Sequence, residues 1–199
     1  REYLREAGFG EAQVERFFRP FFGGVFLERE LSTSSRMFEF VFRMMAEGST
    51  SLPKEGMESI PRQMTDGIEH RIRFRSPVLS IRDDSVRLEG DEEISFEQLV
   101  LAVDGPSANQ LSQSAPSTKW NSTTCLYYAA DAPPYAEPIL ALGGDEDGPI
   151  NNLCIPSNVS PLYAPPGASL ISVSVVGSTK PDEDALNQRV LDQAANWFG

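Results

Sequence analysis

The stretch that decides the fold opens Leu52-Pro53-Lys54-Glu55-Gly56-Met57-Glu58-Ser59-Ile60-Pro61 and closes Leu99-Val100-Leu101-Ala102-Val103-Asp104-Gly105-Pro106. Between these ends the pattern predicts a helix over 57–68. Pro61 falls near its first turn, where a missing N–H is tolerated, and Gly67 near its end. Short strands follow. Ile72 and Phe74 alternate with polar residues, segments 78–81 and 86–88 flank the turn pair Asp83-Asp84, and Asp91-Glu92-Glu93 turns the chain again before Ile94 and Phe96. This is a β-meander. Residues 99–103 show no alternation, the pattern of a strand covered on both faces in a parallel sheet. Asp104-Gly105-Pro106-Ser107 ends that strand and leads into a short helix through Leu111.

Upstream, residues 1–27 read as helical segments broken at Gly8-Phe9-Gly10, with Pro20 and Gly23-Gly24 marking a later turn. Val14, Phe17, Phe18, Phe21 and Phe22 have the three- and four-residue spacing of a buried helix face. Ser32-Thr33-Ser34-Ser35 offers N-cap hydroxyls to a helix over 36–47. Arg36, Glu39 and Arg43 make one narrow polar stripe on that helix, and Glu39 precedes Arg43 by four, the favourable order for an ion pair. The rest of its surface is Met37, Phe38, Phe40, Val41, Phe42, Met44 and Met45. A helix apolar over most of its circumference needs cover on two sides. One cover is the core; the other is core again or an apolar ligand chamber. Phe38, Val41 and Met45 are the candidate substrate-lining residues.

Downstream, segments 119–130 and 139–142 read as strands, 151–156 as short and extended, and 169–176 as a half-buried strand alternating Leu170, Ile171, Val173 and Val175 with serines. Of the neighbours Tyr127 and Tyr128, one packs in the sheet and the other faces solvent. Asp145-Glu146-Asp147 reads as a solvated turn. Pro181-Asp182-Glu183-Asp184 opens a last helix with acidic residues at its positive end. The fold class expected is therefore α+β: a helical segment with a mixed or antiparallel sheet, plus a β-meander and one further strand.

The chain has 199 residues, 40% hydrophobic and 23% charged, with a formal net charge of −12. That balance excludes nucleic acid and anionic membrane surfaces as natural partners, since both require Lys and Arg. No apolar run approaches the roughly 20 residues of a spanning helix. Cys125, Cys154 and His70 cannot furnish a zinc site, so no metal is expected. The two cysteines read as buried free thiols in a reducing, cytoplasmic compartment, and His70 as a solvated histidine at a helix end. No nucleophilic triad can be built around one histidine. The first residues, Arg1-Glu2-Tyr3-Leu4-Arg5-Glu6, form a charged helical pattern without Met and read as a chain entered mid-helix.

Gly56-Met57-Glu58-Ser59-Ile60-Pro61, then Ser76-Pro77-Val78-Leu79-Ser80-Ile81, then Leu99-Val100-Leu101-Ala102-Val103-Asp104-Gly105-Pro106 occur in an order that resembles the middle of FAD-dependent oxidoreductases of the amine oxidase and phytoene desaturase superfamily, which also includes protoporphyrinogen oxidase-like proteins. Gly23-Gly24-Val25-Phe26 and the 32–35 segment resemble that group's helical substrate domain. The resemblance implies an interior piece with three parts: residues 1–52 from a substrate domain, 53–112 from an FAD-binding domain, and 113–199 returning to the substrate domain. It implies hydride transfer from a small-molecule substrate, apolar by the 36–47 helix, to the flavin. It further implies that the backbone of Val78 bonds the adenine of FAD and that Ala102 and Val103 lie close to the cofactor. No G-x-G-x-x-G phosphate loop occurs in the chain, so tight FAD binding and activity are not expected of these residues alone. The residues name no catalytic side chain. The alternative is a non-catalytic α+β module that binds an apolar ligand or a protein partner.

Overall fold

The computed structural model describes residues 1–112, 120–144, 148–177 and 182–199. In chain order the helices are α1 (Glu2–Glu6), α2 (Glu11–Gln13), a π-helical segment (Val14–Phe18), α3 (Arg19–Phe26), α4 (Ser35–Glu47) and α5 (Ser59–Thr65). Strands β1 (Val78–Ile81), β2 (Ser85–Leu88) and β3 (Glu93–Ser95) come next, then α6 (Gly105–Leu111). The rest is β4 (Thr123–Ala130), β5 (Leu140–Leu142), β6 (Asn152–Cys154), α7 (Pro156–Val159), β7 (Ser169–Val176) and α8 (Glu183–Phe198). The chain divides into two units, Arg1–Pro61 with Asn121–Gly199, and Arg62–Trp120.

The larger unit holds a four-stranded antiparallel sheet in the order β4-β7-β6-β5. Its core lies between one sheet face and α8: Leu153, Val173 and Val175 meet Leu186 and Val190, with Ile150 and Ile155 beside them. The serine alternation along β7 produces this directly, because every second residue turns inward. Asp182 caps α8 by accepting from Ala185 N–H at 3.2 Å. A second core is aromatic: Leu4, Val14, Phe18 and Phe22 are buried, and Phe38 and Val41 of α4 pack on them.

Two expectations about the first helices change. Pro20 does not end the helix. Residues 11–26 continue through it because the preceding π turn, in which Arg19 N–H bonds Val14 C=O, gives the proline ring room. Gly23 and Gly24 are not a turn but lie inside α3, where they let it approach the strand region closely. A Cβ on Gly24 would sit 2.7 Å from Asn152 Nδ2 and 2.9 Å from Asn151 Nδ2, and Asn151 Nδ2 donates to Pro20 C=O at 2.8 Å. The expected Glu39–Arg43 pair is also replaced: Arg43 pairs with Glu47 at 2.8 Å, and Glu39 accepts the Tyr3 hydroxyl.

The smaller unit is built on the antiparallel meander β1-β2-β3, as its turn pairs predict. Around it the expectations fail. The helix over 57–68 shortens to α5, Ile72 and Phe74 form no strand, and residues 99–103 pair with no strand among the described residues. The reason for the last is that both sides of a parallel strand need neighbours, and the meander supplies none. Val100 is accordingly 86% exposed. The acidic run 145–147 and the starts of the 119–130 and 181–184 segments lie outside the described residues. No helix among the described residues is long and apolar enough to cross a membrane.

Candidate functional site

In the smaller unit, Val78 opens β1, an edge strand, opposite Leu88. Pro77 C=O accepts from Glu89 N–H at 2.9 Å, and the register slips between Val78 and Ser80. An edge strand leaves the peptide groups of its outer side without a ladder partner. Those groups present alternate donors and acceptors, the complement of an adenine edge. Ala102 and Val103 are exposed and immediately precede α6, whose N-cap is Asp104; its carboxylate accepts from Ser107 N–H at 2.8 Å and is thereby held below the usual carboxylate range. Helix α6 lies against β1. The helix that follows the 102–103 segment thus packs on the strand that Val78 opens. The residues present fit the adenine end of a dinucleotide, but nothing in this unit offers the glycine-rich cradle that a pyrophosphate needs.

In the larger unit, the substrate-lining candidates separate. Phe38 belongs to the aromatic core, 4.8 Å from Phe22 and 5.6 Å from Phe42 between ring centroids. Val41 is half-buried on the same cluster, whereas Met45 is exposed. The second cover expected for α4 is absent among the described residues: Met37, Phe40 and Met44, spaced three and four apart, make an open apolar stripe with Phe40 at 59% exposure. The cavity that Phe38 lines with Tyr3, Leu4, Phe22, Glu28 and Leu31 is about 40 Å³, room for water but not for a substrate. Burial opposes ionisation of Glu28, yet hydrogen bonds from Ser32 Oγ and Thr33 N–H outweigh it and lower its carboxyl.

The sheet face turned away from α8 carries a set of residues that the sequence reading did not gather. Register places Cys125 beside Ser174, Tyr127 beside Ser172, and both serines beside Asn152 and Cys154 of β6. Tyr127 is 65% exposed, whereas Tyr128 turns to the core and donates to Asn187 Oδ1 at 2.8 Å. Cys125 is exposed rather than buried, although α3 reaches this face at Asn152. Burial pushes the Cys154 thiol up, so it is no thiolate nucleophile near neutrality. With β7 between them, the two cysteines are two strand spacings apart, beyond disulfide reach. Recognising this face from sequence required the β4-β7-β6 order, which only long-range pairing reveals.

The model of the family described as flavin containing amine oxidoreductase matches residues 1–199. The chain belongs to this family. No curated protein matches it in sequence. Among solved structures, it is similar to the PF1083 protein of Pyrococcus furiosus, with 15% identity and a TM-score of 0.79 over 99% of this chain and 54% of the other. An oxidoreductase from Methanosarcina mazei gives 16% identity and a TM-score of 0.75, covering 99% and 51%. Reduced UDP-galactopyranose mutase gives 15% identity and 0.63, covering 94% and 49%. The chain therefore spans about half the length of these neighbours, and at such identities the likeness speaks of fold. The α+β class expected from the pattern of helices and strands is the class found.

Proposed function

We propose that these residues form part of an FAD-dependent dehydrogenase of amine oxidase or phytoene desaturase type, acting on a small, apolar substrate in the cytoplasm. The observation that carries the reading is the edge strand β1, with Val78 on it and α6 packed against it, in a chain of the flavin-containing family. In this reading the Arg62–Trp120 unit belongs to the FAD-binding domain and the rest to the substrate domain. Val78 holds the adenine end through its peptide groups, and Ala102 and Val103 let the backbone come close because their side chains are small. When bound, the flavin supplies a two-electron acceptor, so the protein's share is binding, orientation and exclusion of water.

The apolar preference rests on α4. Met45 and the stripe Met37, Phe40 and Met44 offer polarizable, adaptable surface without a charge, which suits a long hydrocarbon better than an ammonium group. Phe38 and Val41 then act from below, fixing the helix that presents Met45.

The test is an absorbance spectrum of the protein purified from its whole gene, followed by turnover. Flavin bands are expected, with oxidation of apolar polyenes exceeding that of small polar amines. A colourless protein that FAD cannot reconstitute overturns the enzyme reading in favour of a binding module. A yellow protein that turns over only polar amines overturns the substrate class. Val78→Ala is expected to leave FAD affinity within about threefold, since a backbone contact survives loss of the side chain.

A further inference from the structure

A cavity in the Arg1–Pro61 with Asn121–Gly199 unit lies away from the cofactor and substrate residues assigned above. It has a volume of about 490 Å³ and is walled by Arg29, by Gly148 and Pro149, by the end of β7, and by Asp182 and Arg189 of the α8 region. Acidic residues outnumber basic ones 29 to 17 in this chain, and Arg1, Arg5, Arg19, Arg43, Arg73, Arg82 and Arg87 each meet a carboxylate. Arg29 and Arg189 meet none among the described residues. Arg29 spends only Nε, donated to Val176 C=O at 3.2 Å, which pins the side chain and leaves its terminal fork unengaged. Of the helix positions three and four away from Arg189, only Asp192 carries a carboxylate, and that group accepts from Gln188 Nε2 at 2.8 Å. The one acid on the wall, Asp182, is occupied in capping α8.

A second observation points the same way. Gln193 is only 5% exposed; its Oε1 accepts from Ile150 N–H at 2.9 Å, while its Nε2 is buried without a partner. Gly148, on the cavity wall, lies directly against this amide, since a Cβ there would come within 2.1–2.3 Å of its atoms. Among the described residues, two guanidinium groups and one helix-capping carboxylate thus line the space, with the unmet amide donor behind Gly148.

We propose that this cavity binds a small molecule carrying a doubly charged oxyanion, with Arg29 and Arg189 as its donors. Two guanidinium forks match the charge and oxygen geometry of such a group, and the volume holds a metabolite rather than a bare ion. A phosphate ester and a dicarboxylate share this chemistry.

The experiment is calorimetric titration of the whole protein with inorganic phosphate and, separately, succinate, at constant ionic strength set with chloride. Saturable binding of either anion is expected, and the one that saturates identifies the source. Arg189→Gln, at an exposed helical position that tolerates glutamine, is expected to weaken binding about tenfold or more, as is Arg29→Gln. Arg71→Gln, a charge change elsewhere, leaves it unchanged. Binding that is absent for both anions, or equal in Arg189→Gln and the unaltered protein, overturns the proposal. A colourless protein that still binds phosphate would sink the flavin reading and leave this one intact.

Discussion

Gly24 offers a sharp test of how α3 is fixed to the sheet of the larger unit. Gly24→Ala should gain about 1 kcal/mol of helix propensity. Against this, the new methyl meets two amide ends, at 2.7 Å from Asn152 Nδ2 and 2.9 Å from Asn151 Nδ2. Asn152 can swing aside, but Asn151 is held by its 2.8 Å bond to Pro20 C=O. Moving it forfeits a hydrogen bond of about 1 kcal/mol, and crowding adds about 1–3 kcal/mol. The net expectation is a loss of about 1–3 kcal/mol. In an Asn151→Ala background that bond is already gone and the space is free, so the same change should stabilise by about 1 kcal/mol. The coupling is then about 2–4 kcal/mol, far above the few tenths expected of independent sites. Gly23→Ala is the contrast: its Cβ would lie 2.8 Å from the backbone oxygen of Glu28, which no side-chain change relieves, so it should destabilise in either background. Amide hydrogen exchange over Arg19–Phe26 in the whole protein reads these local stabilities. Additivity of Gly24→Ala and Asn151→Ala would refute the reasoning.

Tyr135 shares its hydroxyl between Ile139 C=O at 3.2 Å and Leu153 C=O at 3.3 Å, and burial, with Cys154 nearby, pushes it up to about 12. Its contribution is therefore intact below about pH 10 and lost as pH rises toward 12, and Tyr135→Phe should cost about 1 kcal/mol at neutral pH while flattening that alkaline loss in a melting-temperature profile. Glu11 is held down at about 2, first by Arg5 and then by Arg1. Its stabilising share is present above the ordinary carboxylate range and lost as pH falls toward 2; an NMR titration should show Arg5→Gln moving its midpoint upward. Phe38→Ala should destabilise by about 2–4 kcal/mol as a core truncation, whereas Met45→Ala should leave stability within about 0.5 kcal/mol and raise KM for an apolar substrate. Equal stability losses in both variants would deny α4 its two separate faces.

Much of the fold was legible where local pattern governs it. The serine alternation of β7, the capping of α4 by Ser34 and of α8 by Asp182, and the turns of the meander all follow from residues close in sequence. What was illegible depended on distant partners. Pro20 and Gly23-Gly24 carry the ordinary marks of a turn, yet they sit in a helix because Asn151, 131 residues beyond Pro20, accepts their close approach. Residues 99–103 carry the marks of a buried strand, yet pair with no strand among the described residues, because a strand is a property of its neighbours as much as of its own side chains. At the candidate site, the edge position of Val78 was readable from the meander, but the split of Phe38 and Val41 from Met45 was not. It required knowing that the aromatic core reaches only one flank of α4.

The smaller unit presents a physical imbalance that bears on what it does. Among its described apolar side chains only Leu88, at 5% exposure, is fully buried, while Val78, Leu99, Val100, Leu101 and Val103 all lie open to solvent. Leu88 and the half-buried Ile81, Val86, Ile94 and Phe96 make a thin core for this unit. Apolar surface that covers the open residues adds to the order of the meander. Its open residues are those flanking the β1 edge and the 99–103 segment, the same places that the flavin reading assigns to the adenine end of the cofactor. Binding there and completion of the core are then one event: a ligand or further chain that covers Val78 and Val103 also stabilises the unit that presents them. Hydrogen exchange over Val78–Ile81 should slow together with 99–103 when FAD is added to the whole protein stripped of its cofactor. If only one segment slows, the cofactor does not bridge them.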